Sequence, residues 1–378
     1  MGKKNKSNET EKENKNLSNM QIIEDICKNI ENAEVLDSDD VANIRFVSTG
    51  NLAMDFVSSG KFWGGGIPLG RITEIYGESS TGKTVIGTHI LQNIQKIGGI
   101  GVLIDSESAY SVPFAKNLGI DTQQLIYLQP DCLEDCFIKI KKIINYIRSN
   151  STDMRPVAIV YDSIAASPSR KEIEKMKNES DLGSLMGHRA LVCSDYLRNM
   201  VQLIKKQQVA IIIINQVRSK IGVMFGDKDT TAGGGRSLAY YAAIRNRCMG
   251  TKKILDSRKI PIGVFMKIKN TKNKISNPFR ETENIELIFD KGINPLSGLL
   301  SLLEIEGKVK RSGAWYQLDN GNKFQEKGFK DILINNPELI DAKKSEDIVK
   351  FLEINSQSLN YLDDKEIILE DIEISEDV

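Results

Sequence analysis

The sequence predicts an α/β fold with a mostly parallel, twisted sheet at its centre. Four mainly apolar runs are predicted to be strands: 71–76, 101–104, 157–161 and 209–214. In the segments between them apolar residues recur at helical spacing, which predicts three helices: 84–97, 133–147 and 192–203. Strands that are apolar on both faces are typical of a sheet covered by helices on both sides, and their alternation with helices indicates parallel pairing.

A glycine-rich segment follows the first predicted strand and opens the first predicted helix. It fits the pattern G-x-x-x-x-G-K-[ST] at every position: Gly77, Glu78, Ser79, Ser80, Thr81, Gly82, Lys83 and Thr84. Such a loop turns its N–H groups toward an anion, and the helix N-terminus adds its positive end. Lys83 would reach the β- and γ-phosphates of ATP, and Thr84 would bind Mg²⁺. A chance glycine- and serine-rich turn is the alternative, and the strand-to-helix context argues against it.

Polar residues follow three of the predicted strands, at the carboxyl edge where open α/β sheets bind their ligands. The second strand ends at Asp105, which we expect to contact the nucleotide, and Glu107 follows as a candidate base for polarising the attacking water. The third strand ends at Asp162, which we expect in the Mg²⁺ shell, and Gln216 after the fourth strand is positioned to sense the γ-phosphate. A solvated strand terminus explains any one of them, but three beside a phosphate loop favour a catalytic site.

The segment 217–236 has no clear periodicity and mixes five glycines and four basic residues with an apolar cluster at 221–225. A structureless segment this long in a compact domain is usually functional or disordered. Basic residues beside apolar ones suit single-stranded nucleic acid, because cations meet phosphates and apolar side chains pack against bases. A loop that contacts a partner protein is the alternative. A second mixed segment, 170–189, follows the Asp162 strand.

The composition excludes several other classes of protein. The 378 residues carry 51 basic and 51 acidic side chains, which argues against a polybasic protein but not against a basic groove balanced by an acidic tail. No apolar run approaches the ~18 residues of a membrane span, and the N-terminus lacks the apolar core of a signal peptide. Five cysteines without a C-x-x-C pair predict reduced thiols in a cytoplasmic protein, and two histidines argue against a zinc site.

Shifts in composition divide the chain into five predicted regions. They are a disordered polar N-terminus (1–18), an amphipathic helix with a linker (19–45), the α/β core (46–295), a small α+β domain (296–355) and an acidic tail (356–378). The last sixteen residues carry eight acidic side chains and one lysine, so the rest of the chain has a net charge of +7. We expect the tail to compete with DNA for the basic loops.

Further motifs extend the pattern over roughly residues 47–316. They are the stretches 48–50, 66–71, 103–107, 161–166, 214–226, 272–279 and 313–316. The phosphate loop alone indicates only a nucleotide-binding protein, but the stretch 214–226, INQVRSKIGVMFG, is far more specific. With these motifs the sequence resembles the RecA recombinase family, which includes bacterial RecA and phage recombinases of the UvsX type.

The resemblance implies a RecA-type ATPase core and a DNA-dependent ATPase that forms helical filaments on single-stranded DNA. Such a filament catalyses homologous pairing and strand exchange with double-stranded DNA in recombination, repair and the response to DNA damage (SOS response). ATP with Mg²⁺ would lie between protomers of this homo-oligomer, and the helix predicted within 19–45 would polymerise them. Single-strand-binding and mediator proteins are further implied partners, and no membrane partner is expected.

The resemblance also assigns roles to single residues at the ATP site. Glu107 is the expected catalytic carboxylate, and Gln216 is the switch that couples ATP to the DNA loops. Lys272 and Lys274 match lysines that reach the γ-phosphate of the neighbouring subunit; a solvated charged strand is the alternative.

Two aromatic residues and a set of loop and helix residues complete the implied sites. Phe114 falls where the family stacks a ring on adenine, and Phe289 falls where a ring approaches adenine from the next subunit. The residues that match DNA contacts of the family are Met186, Gly187, Ser194, Arg198, Arg218, Ser219, Lys220, Ile221, Thr230, Thr231 and Gly234. For Ser194 and Arg198 a solvated helix face is the alternative.

Two other functions remain open from the sequence. A hexameric helicase with the same core would form closed rings and unwind DNA. A P-loop phosphotransferase would act on a small molecule and ignore DNA; the basic and apolar segment after Gln216 counts against it, as do Lys272 and Lys274.

Overall fold

The computed structural model describes most of the chain. The described residues are 18–31, 33, 35, 44–151, 153–178, 187–205, 207–219, 229–231, 235–356 and 367–371. The chain divides into two compact units, Met1–Ile44 and Arg45–Val378.

The first unit contains one helix within its described residues, α1 (Asn19–Asn29). It begins after Ser18, whose side chain accepts a hydrogen bond from the Gln21 N–H while the Gln21 side chain accepts one from the Ser18 N–H. This capping box satisfies two donors at the helix start. The large apolar side chains of α1 are exposed: Met20, Ile22, Ile23 and Ile26.

The second unit alternates helices with strands, as the sequence predicts. Its helices are α2 (Leu52–Ser59), α3 (Lys83–Lys96), α4 (Val112–Asn117), α5 (Leu133–Ser149), α6 (Arg170–Lys177), α7 (His188–Ile204), α8 (Gly235–Tyr241), α9 (Leu299–Ile305), α10 (Phe329–Asn335) and α11 (Ser345–Ile354). Its strands are β1 (Phe46–Val47), β2 (Ile67–Pro68), β3 (Ile72–Gly77), β4 (Ile100–Asp105), β5 (Leu125–Leu128), β6 (Val157–Asp162), β7 (Val209–Ser219), β8 (Asp229–Thr231), β9 (Ile244–Leu255), β10 (Pro261–Asn273), β11 (Glu281–Ile288), β12 (Gly292–Ile293), β13 (Lys310–Ser312), β14 (Trp315–Gln317), β15 (Lys323–Phe324) and β16 (Ile368–Asp371).

The large sheet has the strand order β12-β11-β10-β9-β3-β7-β6-β4-β5. From β9 to β5 neighbouring strands run parallel, and from β9 to β12 they run antiparallel. The predicted α/β class with a mostly parallel sheet is confirmed. The antiparallel extension is not predicted by the apolar runs, because β9 and β10 alternate buried and partly exposed residues.

The two faces of the sheet build two separate apolar clusters. Along β7, Ile212 and Ile214 pack into the cluster that contains α3, whereas Ile211 and Ile213 pack into the cluster that contains α5. Alternate side chains of a strand point to opposite faces, so a strand that is buried on both sides must be apolar throughout. This explains the uninterrupted isoleucines of β7.

A small C-terminal domain follows the large sheet, as predicted. It contains α9 to α11 and a separate antiparallel sheet in the order β13-β14-β15. Its buried side chains, such as Phe329 and Leu352, belong to the same apolar cluster as Ile90 of α3. The domain therefore shares its core with the helix that follows the phosphate loop.

The final described segment pairs with the large sheet. Within the region expected as an acidic tail, β16 runs antiparallel to β9, with Ile368 opposite Leu255 and Asp371 opposite Lys252. Exposed ion pairs join Lys252 to Asp371 at 3.7 Å and Lys253 to Glu370 at 3.4 Å. The acidic residues thus pair with lysines of β9 through both backbone and side chains.

Two further features bear on the class of protein. All five cysteines lie within the described residues, and each is a free thiol. No helix among the described residues has the length and apolar character needed to cross a membrane.

A buried histidine in α3 links this helix to the last part of the large sheet and to the C-terminal domain. His89 Nε2 accepts a hydrogen bond from the Ile293 N–H at 3.1 Å, and Nδ1 lies 3.1 Å from Gln92 Oε1. Gln92 in turn donates to the Ile354 carbonyl at the end of α11 at 3.1 Å. Burial lowers the pKa of His89 to about 4, so the ring is neutral and Nε2 is free to accept.

We expect the stability that neutral His89 contributes to depend on pH. Its pKa is about 4 in the folded chain, below the ordinary value of 6.5, so the unfolded chain binds the proton more tightly. The contribution is complete above pH ~6.5 and falls by about 3 kcal/mol as the pH drops to ~4. Urea unfolding of the natural chain and of His89→Gln, measured from pH 7.5 to 4.5, should show their difference in unfolding free energy shrinking. A difference that stays constant would contradict the assignment.

Candidate functional site

The phosphate loop lines a cavity of about 480 Å³ at the carboxyl ends of the central strands. Residues 79–84 form one wall, and Glu107, Asp162 and Gln216 lie opposite. Gly82 has a φ of +80°, and a Cβ there would meet Leu287 Cδ1 at 2.4 Å. The left-handed backbone conformation therefore disfavours a side chain at this position, and the Leu287 side chain would have to move to make room for one.

The register of the sheet brings the strand-end residues together. Gly77 of β3 lies opposite Gln216 of β7, and Asp105 of β4 lies opposite Asp162 of β6. These residues lie up to 139 positions apart in the sequence, yet parallel pairing places them side by side in the sheet. The expectation that they meet at one edge agrees with this geometry.

Lys83 is buried at the start of α3, and its ammonium group bends back over the loop. It donates to the Glu78 carbonyl and lies 3.4 Å from Thr81 Oγ1. Burial lowers the pKa of Lys83, while the charges of Asp162 and Glu107 act in the opposite direction. The loop thus holds a cation against its own backbone, where phosphate oxygens bind in P-loop proteins.

Thr84 and Asp162 form the part of the site that is suited to a divalent cation. Thr84 Oγ1 donates to Asp162 Oδ2 at 2.6 Å. Burial raises the pKa of Asp162 to about 6, and the negative charge of Glu107 adds to the effect. A hydroxyl and a carboxylate are both hard oxygen ligands, which fits Mg²⁺ shared with phosphate oxygens. No larger group of acidic, histidine or cysteine ligands occurs among the described residues.

Glu107 accepts hydrogen bonds from two other residues of the cavity. Ser163 Oγ donates to Glu107 Oε1 at 2.6 Å, and Gln216 Nε2 donates to the same oxygen at 3.3 Å. A carboxylate with two donors and an open side toward the phosphate loop is positioned to orient a water. Sequence reasoning assigned no role to Ser163, although its position directly after Asp162 was a usable signal.

Asp105, expected to bind the cofactor, instead organises the loop that carries Glu107. Its carboxylate accepts from the backbone N–H groups of Glu107 and Tyr110, both at 3.1 Å, and from the Tyr127 hydroxyl at 2.9 Å. The side chain is buried and does not line the cavity. In this structure its carboxylate therefore shapes the loop that carries Glu107.

The two aromatic residues expected near adenine lie in different surroundings. Phe289 is 46% exposed and lines the cavity beside the phosphate loop of its own chain. Phe114 lies outside the cavity wall and packs edge to face on Tyr110, with ring centres 5.5 Å apart.

Lys272 and Lys274 lie at the end of β10, beside the last turn of α8. Lys272 Nζ donates to the carbonyls of Ala239 and Tyr240 at 2.6 and 2.8 Å. Burial and, to a smaller extent, the charge of Lys274 together lower the pKa of Lys272 to about 8. Lys274 Nζ lies 5.7 Å from the centre of the Tyr240 ring. A cation at a helix C-terminus is favourable because it meets the free carbonyls.

The expected DNA contacts fall partly on described residues. Gly187 precedes α7 with a φ of +87°, and Ser194 and Arg198 lie on that helix. Arg198 donates to the Tyr241 hydroxyl at 3.2 Å, so α7 contacts the end of α8. Met186, Lys220, Ile221 and Gly234 lie outside the described residues.

The segment expected to be a structureless loop after Gln216 contains a short hairpin. Strand β7 continues through Gln216 to Ser219, and β8 returns antiparallel, with Arg218 opposite Thr230 and Val217 opposite Thr231. The sequence did not predict this pairing, because the residues that form it are mostly polar and therefore do not appear as an apolar run. Four expected DNA contacts therefore share a ladder that begins at the ATP cavity: Arg218, Ser219, Thr230 and Thr231.

Comparison with known proteins identifies the family. The sequence profile of the RecA N-terminal domain matches residues 18–294. Protein RecA of Mycoplasma mycoides subsp. mycoides SC is 38% identical over 286 residues, which cover 76% of this chain and 78% of that protein. The chain belongs to the RecA family.

Other RecA proteins match at similar levels. Protein RecA of Arthrospira platensis is 35% identical over 84% of this chain and 82% of its own length. Protein RecA of Bacteroides thetaiotaomicron is 35% identical over 84% of this chain and 92% of its own length. As a RecA-family member, the chain is an ATP-hydrolysing DNA recombinase of recombination and repair, which binds DNA and forms filaments. This decides against the helicase and the phosphotransferase.

Replacing Glu107 by Gln should slow ATP hydrolysis by a factor of about 10² to 10⁴. The amide keeps the size of the side chain and an oxygen that accepts from Ser163, but it does not polarise water as a carboxylate does. Phosphate release should fall while binding of a fluorescent ATP analogue is retained.

The exposed Glu306, after α9, offers a matched control. Glu306→Gln should hydrolyse ATP at the unchanged rate. Hydrolysis by Glu107→Gln at a rate within twofold of the natural chain would exclude Glu107 as the catalytic carboxylate.

Proposed function

We propose that this recombinase binds ATP·Mg²⁺ in the cavity at the phosphate loop and uses its hydrolysis to release single-stranded DNA. One observation carries the proposal. The segment 217–241, which contains the candidate DNA hairpin, begins directly after Gln216, whose amide donates to Glu107. Near its other end, the carbonyls of Ala239 and Tyr240 accept hydrogen bonds from Lys272. Two residues proposed to contact ATP, Gln216 and Lys272, therefore lie at the two ends of the proposed DNA-binding segment.

The proposed ATP site uses its residues in separate roles. Lys83 and the N–H groups of residues 77–84 bind the β- and γ-phosphates. Thr84 and Asp162 hold Mg²⁺, which supplies charge neutralisation on the phosphate oxygens. Glu107 orients and polarises the attacking water, and the Ser163 hydroxyl keeps its carboxylate in place.

Gln216 is the proposed switch between nucleotide and DNA. Its amide lies 3.3 Å from Glu107 and its backbone continues into Arg218 and Ser219 without leaving the strand. A γ-phosphate bound beside Glu107 would offer the Gln216 amide a second hydrogen-bond acceptor. The ATP-bound and hydrolysed states would then favour different positions of the β7–β8 ladder.

We propose that ATP also joins neighbouring protomers. Lys272 and Lys274 would reach the γ-phosphate of the adjacent subunit, and Lys272 would release the last turn of α8 when it does so. The exposed apolar face of α1 supports its role in polymerisation by docking on a neighbour. These two contacts would make filament assembly depend on ATP, since each subunit completes the site of the next.

The proposed base pocket and DNA surface follow the family pattern. Phe114 and Phe289 would contact adenine. The residues proposed to bind single-stranded and double-stranded DNA are Met186, Gly187, Ser194, Arg198, Arg218, Ser219, Lys220, Ile221, Thr230, Thr231 and Gly234. Contacts of these residues with the DNA backbone carry no sequence information, so homology would be recognised by base pairing between the DNA strands. We further propose single-strand-binding and mediator proteins as partners, and a cytoplasmic location, which the free thiols support.

Single-stranded DNA should stimulate ATP hydrolysis, and Lys83→Ala should abolish both hydrolysis and strand exchange. Phosphate release with and without single-stranded DNA tests the first expectation. Strand exchange with homologous and with heterologous duplex tests the second, because only the homologous duplex should react. Equal hydrolysis rates in both conditions would contradict the DNA switch.

Lys96 is exposed at the last position of α3, the helix that begins at Lys83, and it provides the control for Lys83→Ala. Lys96→Ala should keep DNA-stimulated hydrolysis, which separates loss of the phosphate contact from general damage to α3. Unchanged strand exchange in Lys83→Ala would refute the phosphate site.

Removing residues 363–378 should raise the affinity for single-stranded DNA, because it deletes eight acidic side chains and one lysine. A shorter change, Glu370→Gln with Asp371→Asn, neutralises the contacts with Lys252 and Lys253 but retains the strand. Affinity measured between 50 and 200 mM salt should show a larger increase for the deletion. Identical affinity and salt dependence in all three chains would exclude competition by the tail.

A further inference from the structure

Tyr110 lies between α3, the helix that follows the phosphate loop, and Phe114 of the proposed base pocket, and the function above leaves it without a role. It lies in the loop that follows β4, and its N–H donates to the buried Asp105 carboxylate. Its ring packs edge to face on Phe114, with ring centres 5.5 Å apart and planes at 88°. Its hydroxyl lies 3.1 Å from Thr88 Oγ1 on α3.

The direction of this hydrogen bond follows from the neighbouring one. Thr88 Oγ1 donates its only proton to the Thr84 carbonyl at 2.8 Å, so the Tyr110 hydroxyl must donate to Thr88. Burial raises the pKa of Tyr110 to about 12, and the hydroxyl therefore keeps its proton at neutral pH. A continuous path of contacts runs from the Thr84 backbone through Thr88 and Tyr110 to the Phe114 ring.

Phe114 needs such a support, because its own helix is short. Helix α4 has six residues, and its start is capped by the Ser111 side chain, which accepts from the Phe114 N–H at 3.3 Å. A helix of this length is unstable by itself and depends on tertiary contacts. The hydroxyl of Tyr110 ties this helix to the helix that carries the phosphate loop.

We propose that Tyr110 is a positioning residue for the base of the nucleotide. Its hydroxyl bond to Thr88 fixes the distance between the Phe114 ring and the phosphate loop, so that one ligand can contact both. The inference rests on the proposed role of Phe114 in binding adenine. It gives Tyr110 a role in ATP affinity and none in the chemical step.

Two conservative variants and their combination test this bond. Tyr110→Phe keeps the ring and removes the donor, and Thr88→Val keeps the shape and removes the acceptor. Each should raise the KM for ATP about fivefold, the change expected for one lost hydrogen bond, with kcat of DNA-stimulated hydrolysis within twofold. The double variant should equal the single ones, because both remove the same contact.

Inorganic tripolyphosphate separates positioning of the base from general damage to the site. It binds the phosphate loop and has no base, so its inhibition constant should be the same in the natural chain and in Tyr110→Phe. The exposed Tyr146 on α5 provides the control, since Tyr146→Phe should change neither constant. An inhibition constant that rises with the KM would overturn the proposal, as would additive effects in the double variant.

Phe114→Leu distinguishes failure of this inference from failure of the base pocket. If Phe114→Leu raises the KM for ATP and Tyr110→Phe does not, the positioning role is wrong and the base pocket stands. If neither variant changes the KM, the assignment of Phe114 is wrong and the inference falls with it. DNA-stimulated hydrolysis in both variants would still support the recombinase function.

Discussion

The register between the parallel strands is the constraint on which the site depends. It sets Gly77 opposite Gln216 and Asp105 opposite Asp162, so that the phosphate loop, the cation ligands and the switch meet at one edge. Both faces of these strands are buried, and a slip by one residue would turn every isoleucine of β7 toward the wrong cluster. The apolar core thereby fixes the positions of polar groups that do not touch it.

The parts of this arrangement that the sequence predicted are those encoded by neighbouring residues. The phosphate loop is contiguous in sequence. Three of the central strands are apolar runs, and each run is followed directly by a polar residue: Asp105, Asp162 or Asn215. The parts it did not predict depend on distant partners. Nothing local shows that Asp105 turns inward to hold its own loop, or that Lys272 would meet the carbonyls of Ala239 and Tyr240.

The antiparallel half of the sheet escaped prediction for a related reason. Strands β9 and β10 face solvent on part of one side, so their sequences alternate and contain many lysines. The β7–β8 hairpin is short and polar, and its pairing becomes visible only when both strands are in place. These are also the regions nearest the proposed DNA and subunit contacts.

The C-terminal strand has a consequence for the behaviour of the molecule in concentrated solution. Strand β10 pairs with one side of β9, and β3 covers the other side only as far as Cys248. Strand β16 continues that row over residues 252–255, where Ile254 and Leu255 would otherwise border a row of open backbone donors and acceptors. An open edge of this kind recruits strands from other molecules. The same segment that carries acidic charge thus also protects the chain from edge-to-edge aggregation.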